Sequence, residues 1–425
     1  MLEGIGGIAQ CALIDSKSVS LYGGSLISTG DAIRKGNKHM RIGIPKEVQA
    51  GETRVALIPS LLPLLIKDKH EILVEAGAGV RARCSDTQYL QAGASLIEDA
   101  PALYELADII LKVQPPQIHP ATQLSEAEML REGSAYIGFL SPLAHLDVME
   151  IFARRNVTAY AMDFVPRLTR AQSMDALSSM ATVAGYKSVL LATEHLGKMF
   201  PLLMTAAGTI TPATVLVLGA GVAGLQAIAT AKRLGARVEA FDARPAVREQ
   251  IHSLGATFVE MELSQDAETA GGYAKEQSTD FLKREQEVIG ARFPKVDVVI
   301  STAQVFGKRA PLLITTEMVK ALRPGSVIVD LAAEQGGNCE LTQAGQIVEY
   351  EGVTIIGTTN LPALLPVDAS QLYARNVVNL LRYLYPATGT APDSSDELVQ
   401  GTCVTRNGEI VHKLLQASVR EEVSR

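Results

Sequence analysis

The sequence predicts an α/β protein of two doubly wound domains with a binding cleft between them. Short apolar runs rich in branched residues alternate with stretches of helical period along most of the chain. One such run, VLVL at 215–218, passes directly into a glycine-spaced turn and a new helix. The chain has 425 residues, 47% hydrophobic and 20% charged, enough for two or three domains with large cores.

The elements follow in order. Residues 1–39 hold serine, glycine and mixed charges without a period, and are expected to be a poorly ordered extension or to precede a true start at Met40. Glu3 and the lack of a charged opening region argue against a secretory signal. MRIGIP from Met40, EILVEAG, DIILKV, SAYIGFL and VTAYAMDFV read as strands. SLLPLLIKDKH, DTQYLQAGA and LDVMEIFARRN read as the helices between them. A long connecting helix is expected over 176–198. The second unit then has strands at 215–218, ARVEAFDAR, ATFVEME, VDVVIST, SVIVDLA and VTIIGTT. The stretch 368–386 reads as a helix returning to the first unit, PATGTAPDSSDE as a linker, and GTCVTRNGEIVH as a hairpin turning at Arg406-Asn407-Gly408. The expected division is 40–180 with 368–425 as a discontinuous first domain, and 181–367 as the second.

The glycine turn carries the first functional signal. Gly219, Gly221 and Gly224 have the G-x-G-x-x-G spacing, with Ala220 and Val222 between them. Gly219 permits a tight turn, Gly221 lets backbone approach a pyrophosphate, and Gly224 lets the new helix pack closely. The helix over 224–235 offers its positive end to phosphates. Asp242, eighteen residues after Gly224, sits where a carboxylate holds ribose hydroxyls and repels a 2′-phosphate. An ordinary glycine-bearing turn is the alternative, but strand, turn, helix, strand and acid arriving in order favour a Rossmann-like dinucleotide site. The acid favours NAD, whereas Arg244 and Arg248 stand close enough to meet the phosphate of NADP.

Composition excludes other classes. The net charge of −7 and the absence of a long basic run argue against nucleic acid. Four scattered cysteines and seven histidines form no metal spacing. Met199–Ala231 is free of charge and long enough to span a bilayer, but it contains Pro201, Pro212 and the glycine turn, so it reads as strand plus buried helix.

A second segment, RLTRAQSMDALSS at 167–179, is polar and doubly basic. On spacing alone it reads as a solvated loop, with Asp175 or Ser173 near the cap of the next helix. Together with MRIGIPKE, GETRVAL, ILKVQPP, AGY, GAGVAGLQAIATAKRLGA, FDARPAVREQ, AETAGGYAKE, RPGSVIVDLAAE, GGNCELT and GTCVTR, it makes residues 40–413 resemble the soluble NAD(H)-binding component of proton-translocating NAD(P) transhydrogenases. The resemblance implies two Rossmann-like domains and a homodimer. It assigns the nicotinamide-holding roles to Arg167, Gln172, Asp175 and Ser178. It places Ala220, Val222, Arg244, Thr302 and Ala303 with the glycines and Asp242 against NAD(H), and makes 267–276 a lid closing with Tyr273. It further implies that NADP(H) binds only on a partner, a membrane-bound beta subunit accompanied by a small membrane subunit. The chain would then lie peripherally on the cytoplasmic face of a bacterial inner membrane. Two stretches depart from the family pattern: Ala303-Gln304-Val305-Phe306-Gly307 replaces Ala-Leu-Ile-Pro-Gly, and Thr358-Thr359-Asn360 replaces His-Thr-Asn. Both bear on cofactor affinity.

Two rivals share the fold. Alanine dehydrogenase is similar at Arg54 and Lys112, but it needs a positioned acid/base for amine chemistry. Where it has a histidine, Ser141 stands here, with His145 four residues on. A nucleotide-sensing protein without turnover is the other rival, and the retained Gly219, Gly221, Gly224, Asp242, Gln172 and Asp175 argue against it.

Overall fold

A computed structural model describes residues 39–261, 279–305, 307–387 and 393–423. The leader, the 267–276 loop with Tyr273, Phe306 and the middle of the 386–397 linker lie outside the described residues.

Two large sheets dominate. In the first, β1 (Arg41–Ile44), β2 (Glu71–Glu75), β3 (Ser95–Ile97), β4 (Ile109–Leu111), β5 (Ala135–Gly138) and β6 (Thr158–Ala161) run parallel in the order 3-2-1-4-5-6. The helix Ala176–His195 (α1) leaves this unit. A separate antiparallel hairpin follows, β7 (Leu203–Thr205) and β8 (Gly208–Ile210), every residue of its strands exposed. The second sheet contains β9 (Thr214–Leu218), β10 (Arg237–Phe241), β11 (Thr257–Phe258), β12 (Val298–Ser301), β13 (Val327–Asp330), β14 (Ile347–Tyr350) and β15 (Val353–Ile356). Its parallel strands repeat the same order, β11-β10-β9-β12-β13-β15, with β14 antiparallel at one edge. The chain then returns through Pro366–Leu384, and β16 (Cys403–Arg406) and β17 (Glu409–Ile410) extend the first sheet beyond β6. Two doubly wound sheets agree with the fold class expected from sequence.

The second sheet is buried on both faces, as parallel sheets are. Val215 and Val217 point into one core and Leu216 and Leu218 into another, the period-2 alternation of a strand. Register then sets the site: Leu218 lies opposite Phe241 on β10 and Ser301 on β12. The three strands therefore end level, and Gly219, Asp242 and Thr302 emerge side by side at the strand-order reversal, where doubly wound sheets bind ligands.

Three elements differ from expectation in extent. β11 is only two residues, although Val259 still donates to the Ala240 carbonyl at 2.8 Å. β3 and the β14 edge strand carried no alternating pattern strong enough to be seen. The uncharged stretch from Met199 resolves into the β7–β8 hairpin, β9, the turn and a helix. Among the described residues no helix is long and apolar enough to cross a membrane.

Candidate functional site

A cavity of about 2130 Å³ lies between the two sheets. It exceeds a usual small-ligand pocket of about 300–1,000 Å³ and has room for a dinucleotide. Its floor is the β9 turn. Gly219 has φ +90°, and a Cβ there would lie 2.8 Å from Thr302 Oγ1. Thr302 Oγ1 donates to the Gly219 carbonyl at 3.0 Å and binds the turn to β12. At Gly221 a Cβ would meet no protein atom within 4 Å, so the space it leaves opens into the cavity. Gly224 lies behind the turn, where a Cβ would fall 1.9 Å from the Gly219 carbonyl oxygen. The helix Val222–Arg233 (α2) starts here and carries Lys232 and Arg233 in its last turn, complementing its dipole. An open cradle at a helix N-terminus fits a pyrophosphate, so the chain's own residues suit a dinucleotide.

The opposite wall comes from α1. Asp175 caps it, accepting from Ser178 N at 2.9 Å and from Ser178 Oγ at 2.5 Å. Both side chains line the cavity with Arg167, so the cap and the functional role coexist in one carboxylate. Gln172 is exposed on the preceding turn and does not line the cavity. That turn is held from Pro366–Leu384: Asn376 Nδ2 and Asn379 Nδ2 donate to the Ser173 carbonyl at 2.9 and 3.0 Å. The two walls are locked by Gly185 in α1, whose missing Cβ would lie 2.1 Å from the Ala223 carbonyl. No sequence argument gave Gly185 this role, although it stands in the AGY motif.

Asn338 is a second residue that sequence reasoning missed. Fully buried, it donates through Nδ2 to the carbonyls of Ala303 and Pro311, both at 2.8 Å, and accepts from Ala303 N at 3.1 Å and Ser301 Oγ at 2.7 Å. It fixes the altered 303–307 loop against β12. Ala220, Val222, Asp242, Arg244, Thr302 and Ala303 all line the cavity, as expected. Arg248 is engaged elsewhere, ion-paired with Glu260 over the Phe258 ring.

The positions shared with alanine dehydrogenase are also occupied. Arg54 is buried and binds Glu52 through Nε at 2.8 Å and a terminal nitrogen at 2.6 Å. Burial would raise the Glu52 carboxyl, but Arg54 overrides this and holds it down to about 2. Lys112 is fully buried outside the cavity lining, 2.6 Å from Glu126 and 3.5 Å from Glu47. Burial disfavours its charge, but the two carboxylates more than offset this and raise its pKa. His145 does line the cavity, with Nδ1 3.2 Å from the Ser141 carbonyl.

Glu285, on the helix Thr279–Gly290 (α3), lines the cavity near Asp242 and is only 5% exposed. Burial, with the Asp242 charge, pushes its carboxyl up to about 7. The folded protein therefore holds a proton that the unfolded chain releases near pH 4.5. Stability from this group is present below pH 4.5 and lost as pH rises through 7. Glu285→Gln is expected to match the wild type near pH 4.5 and exceed it at about pH 8, by on the order of 3 kcal/mol at most. Denaturant melts across pH check this, and a constant offset would contradict it.

Two doubly wound sheets meeting over one cleft, with a glycine turn for its floor, define a two-domain nucleotide-binding oxidoreductase. The family descriptions "Alanine dehydrogenase/PNT, N-terminal domain" and "Alanine dehydrogenase/PNT, C-terminal domain" match residues 43–184 and 188–413, and the chain belongs to this family. It is 47% identical to the first of the proteins that make up NAD(P) transhydrogenase subunit alpha in Rhodospirillum rubrum, over 88% of this chain and 99% of that protein. The solved transhydrogenase of Sinorhizobium meliloti superposes with a TM-score of 0.76 at 38% identity, covering 88% of this chain and 99% of that one. The alanine dehydrogenase of Mycolicibacterium smegmatis is more distant, at 28% identity over 90% of this chain and 97% of that protein.

Proposed function

We propose that this chain is the NAD(H)-binding alpha subunit of a proton-translocating NAD(P) transhydrogenase of the Si-specific/Re-specific type. It transfers hydride from NADH directly to NADP+ held on a partner subunit. The observation that carries this reading is the wall of Arg167, Asp175 and Ser178 facing the glycine turn across one cleft, while Arg54 and Lys112 are tied to carboxylates.

When bound, the nicotinamide supplies the hydride at its C4. The chain's task is to fix ring position and exclude competing reactions, since direct hydride transfer needs close approach rather than a general acid. Gly219, Ala220, Gly221 and Val222 would hold the pyrophosphate, and Arg167, Gln172, Asp175 and Ser178 would orient the nicotinamide. NADP(H) would stay on the beta-type membrane subunit, with a small membrane subunit completing the complex at the cytoplasmic face of a bacterial inner membrane. A homodimer of this chain is supported by the exposed β7–β8 hairpin, where Leu202 and Met204 are 55% and 73% exposed.

Gln172→Asn shortens the side chain by one methylene and keeps its amide. It is expected to slow hydride transfer about 100-fold and to change NADH affinity less than about threefold. Equal losses in both would remove the positioning role. The function itself is tested by incubating the purified chain with NADH, first with pyruvate and ammonium, then with an NADP-binding transhydrogenase component loaded with NADP+. Transfer only in the second mixture supports the proposal. Oxidation in the first would make the chain an alanine dehydrogenase, and silence in both a sensor.

A further inference from the structure

Asp242 has the sequence position of a ribose-binding acid, yet its acceptor capacity is already full. Oδ1 accepts from Arg244 N at 2.8 Å and from Arg244 Nε at 2.9 Å. Oδ2 accepts from Ala220 N at 2.7 Å and from a terminal Arg244 nitrogen at 2.9 Å. A carboxylate offers about four lone-pair sites, and four donors occupy them. Asp242 therefore pins the glycine turn through Ala220 and neutralises Arg244, the cation closest to it in sequence that could greet a 2′-phosphate.

Glu285 is in the opposite condition. It is nine-tenths buried, lines the same cavity, and has no hydrogen bond or ion pair to any described residue. Buried carboxyls without partners are costly, and a ligand donor in the cavity would offset that cost. We propose that Glu285 accepts the hydrogen bond from the adenosine-ribose 2′-hydroxyl and is the residue that rejects NADP(H), with Asp242 holding the turn behind it. This rests on the NAD(H) assignment above and explains how one subunit of a two-nucleotide enzyme keeps the phosphorylated cofactor out. Its ordinary titration range is displaced upward by burial and by Asp242, so binding is measured at about pH 8, where the carboxylate is charged.

The test is direct binding to the purified chain, followed by fluorescence quenching or calorimetry, with no partner subunit. The ligands are NADH, NADPH and NADH lacking the adenosine 2′-hydroxyl. Wild type is expected to bind the 2′-deoxy analogue about tenfold more weakly than NADH, the value of one hydrogen bond to a charged group. Glu285→Ala is expected to erase that difference. Glu285→Gln, which keeps the shape but not the charge, is expected to gain about tenfold in affinity for NADPH relative to NADH. A 2′-deoxy penalty that persists in Glu285→Ala, with an unchanged NADPH-to-NADH ratio in Glu285→Gln, would overturn the proposal and return the ribose to Asp242. Failure of the wild type to bind NADH at all would instead overturn the function on which it rests.

Discussion

Gly221→Ala is expected to leave the fold intact and to weaken NADH binding about 100-fold, roughly 2.7 kcal/mol. The backbone at Gly221 has φ −74° and ψ −167°, extended values that alanine adopts without strain. A Cβ there meets no protein atom within 4 Å. The only thing it would obstruct is an occupant of the cavity. Gly224→Ala is its control: its Cβ would lie 1.9 Å from a main-chain oxygen, so the turn or helix must shift. Overpacking of well-packed sites costs about 1–3 kcal/mol, and a backbone obstacle belongs at the upper end or beyond. The melting temperature should thus fall in Gly224→Ala and hold in Gly221→Ala, while both lose NADH. Melts and NADH titrations on the two variants check this. Normal NADH affinity in Gly221→Ala would remove the pyrophosphate from the turn.

The second large effect is expected at Asp175. The carboxylate caps α1 and faces the cavity, so truncation mixes two losses. Asp175→Ala should cost about 1 kcal/mol of stability through the cap alone. Asp175→Asn separates them, because asparagine caps a helix as well as aspartate. It should melt close to wild type and bind NADH within about threefold, yet transfer hydride about 100-fold more slowly. The charge is what it removes, along with the short contact to Ser178 Oγ. Unchanged hydride transfer in Asp175→Asn, measured under single-turnover conditions, would leave this residue as a cap only.

Much of the dinucleotide half was legible because its signals are local. Strand, glycine turn, helix, second strand and acid follow within a short stretch, each with a steric or electrostatic reason for its residue type. The long helix, the returning helix and the terminal hairpin were legible by period and turn chemistry. What was hidden depends on contacts between distant elements. Gly185 touches Ala223 only because α1 crosses α2 closely, and nothing about an isolated helical glycine announces that. Asn338 cages the 303–307 loop from another strand end, and its motif carried no hint of the four hydrogen bonds. Glu285 lies in a helix that the pattern did not single out, brought to Asp242 only by the fold. Asp175 shows a different limit: the cap and the functional role were weighed as alternatives, and one side chain serves the first while lining the cavity required for the second. Spacing also could not reveal that Arg54 and Lys112 are neutralised by Glu52, Glu47 and Glu126, which bears on the rival chemistry more than their presence does.

The central claim is direct hydride transfer from NADH on this chain to NADP+ on a partner. The most direct measurement uses NADH deuterated on one face of C4, this chain, and an NADP-binding transhydrogenase component carrying NADP+, with the NADPH analysed by mass spectrometry. The expected result is deuterium recovered in NADPH without dilution by solvent protons, from one labelled face only, and no transfer when this chain is omitted. Label lost to solvent, or NADPH labelled equally without this chain, would contradict the account.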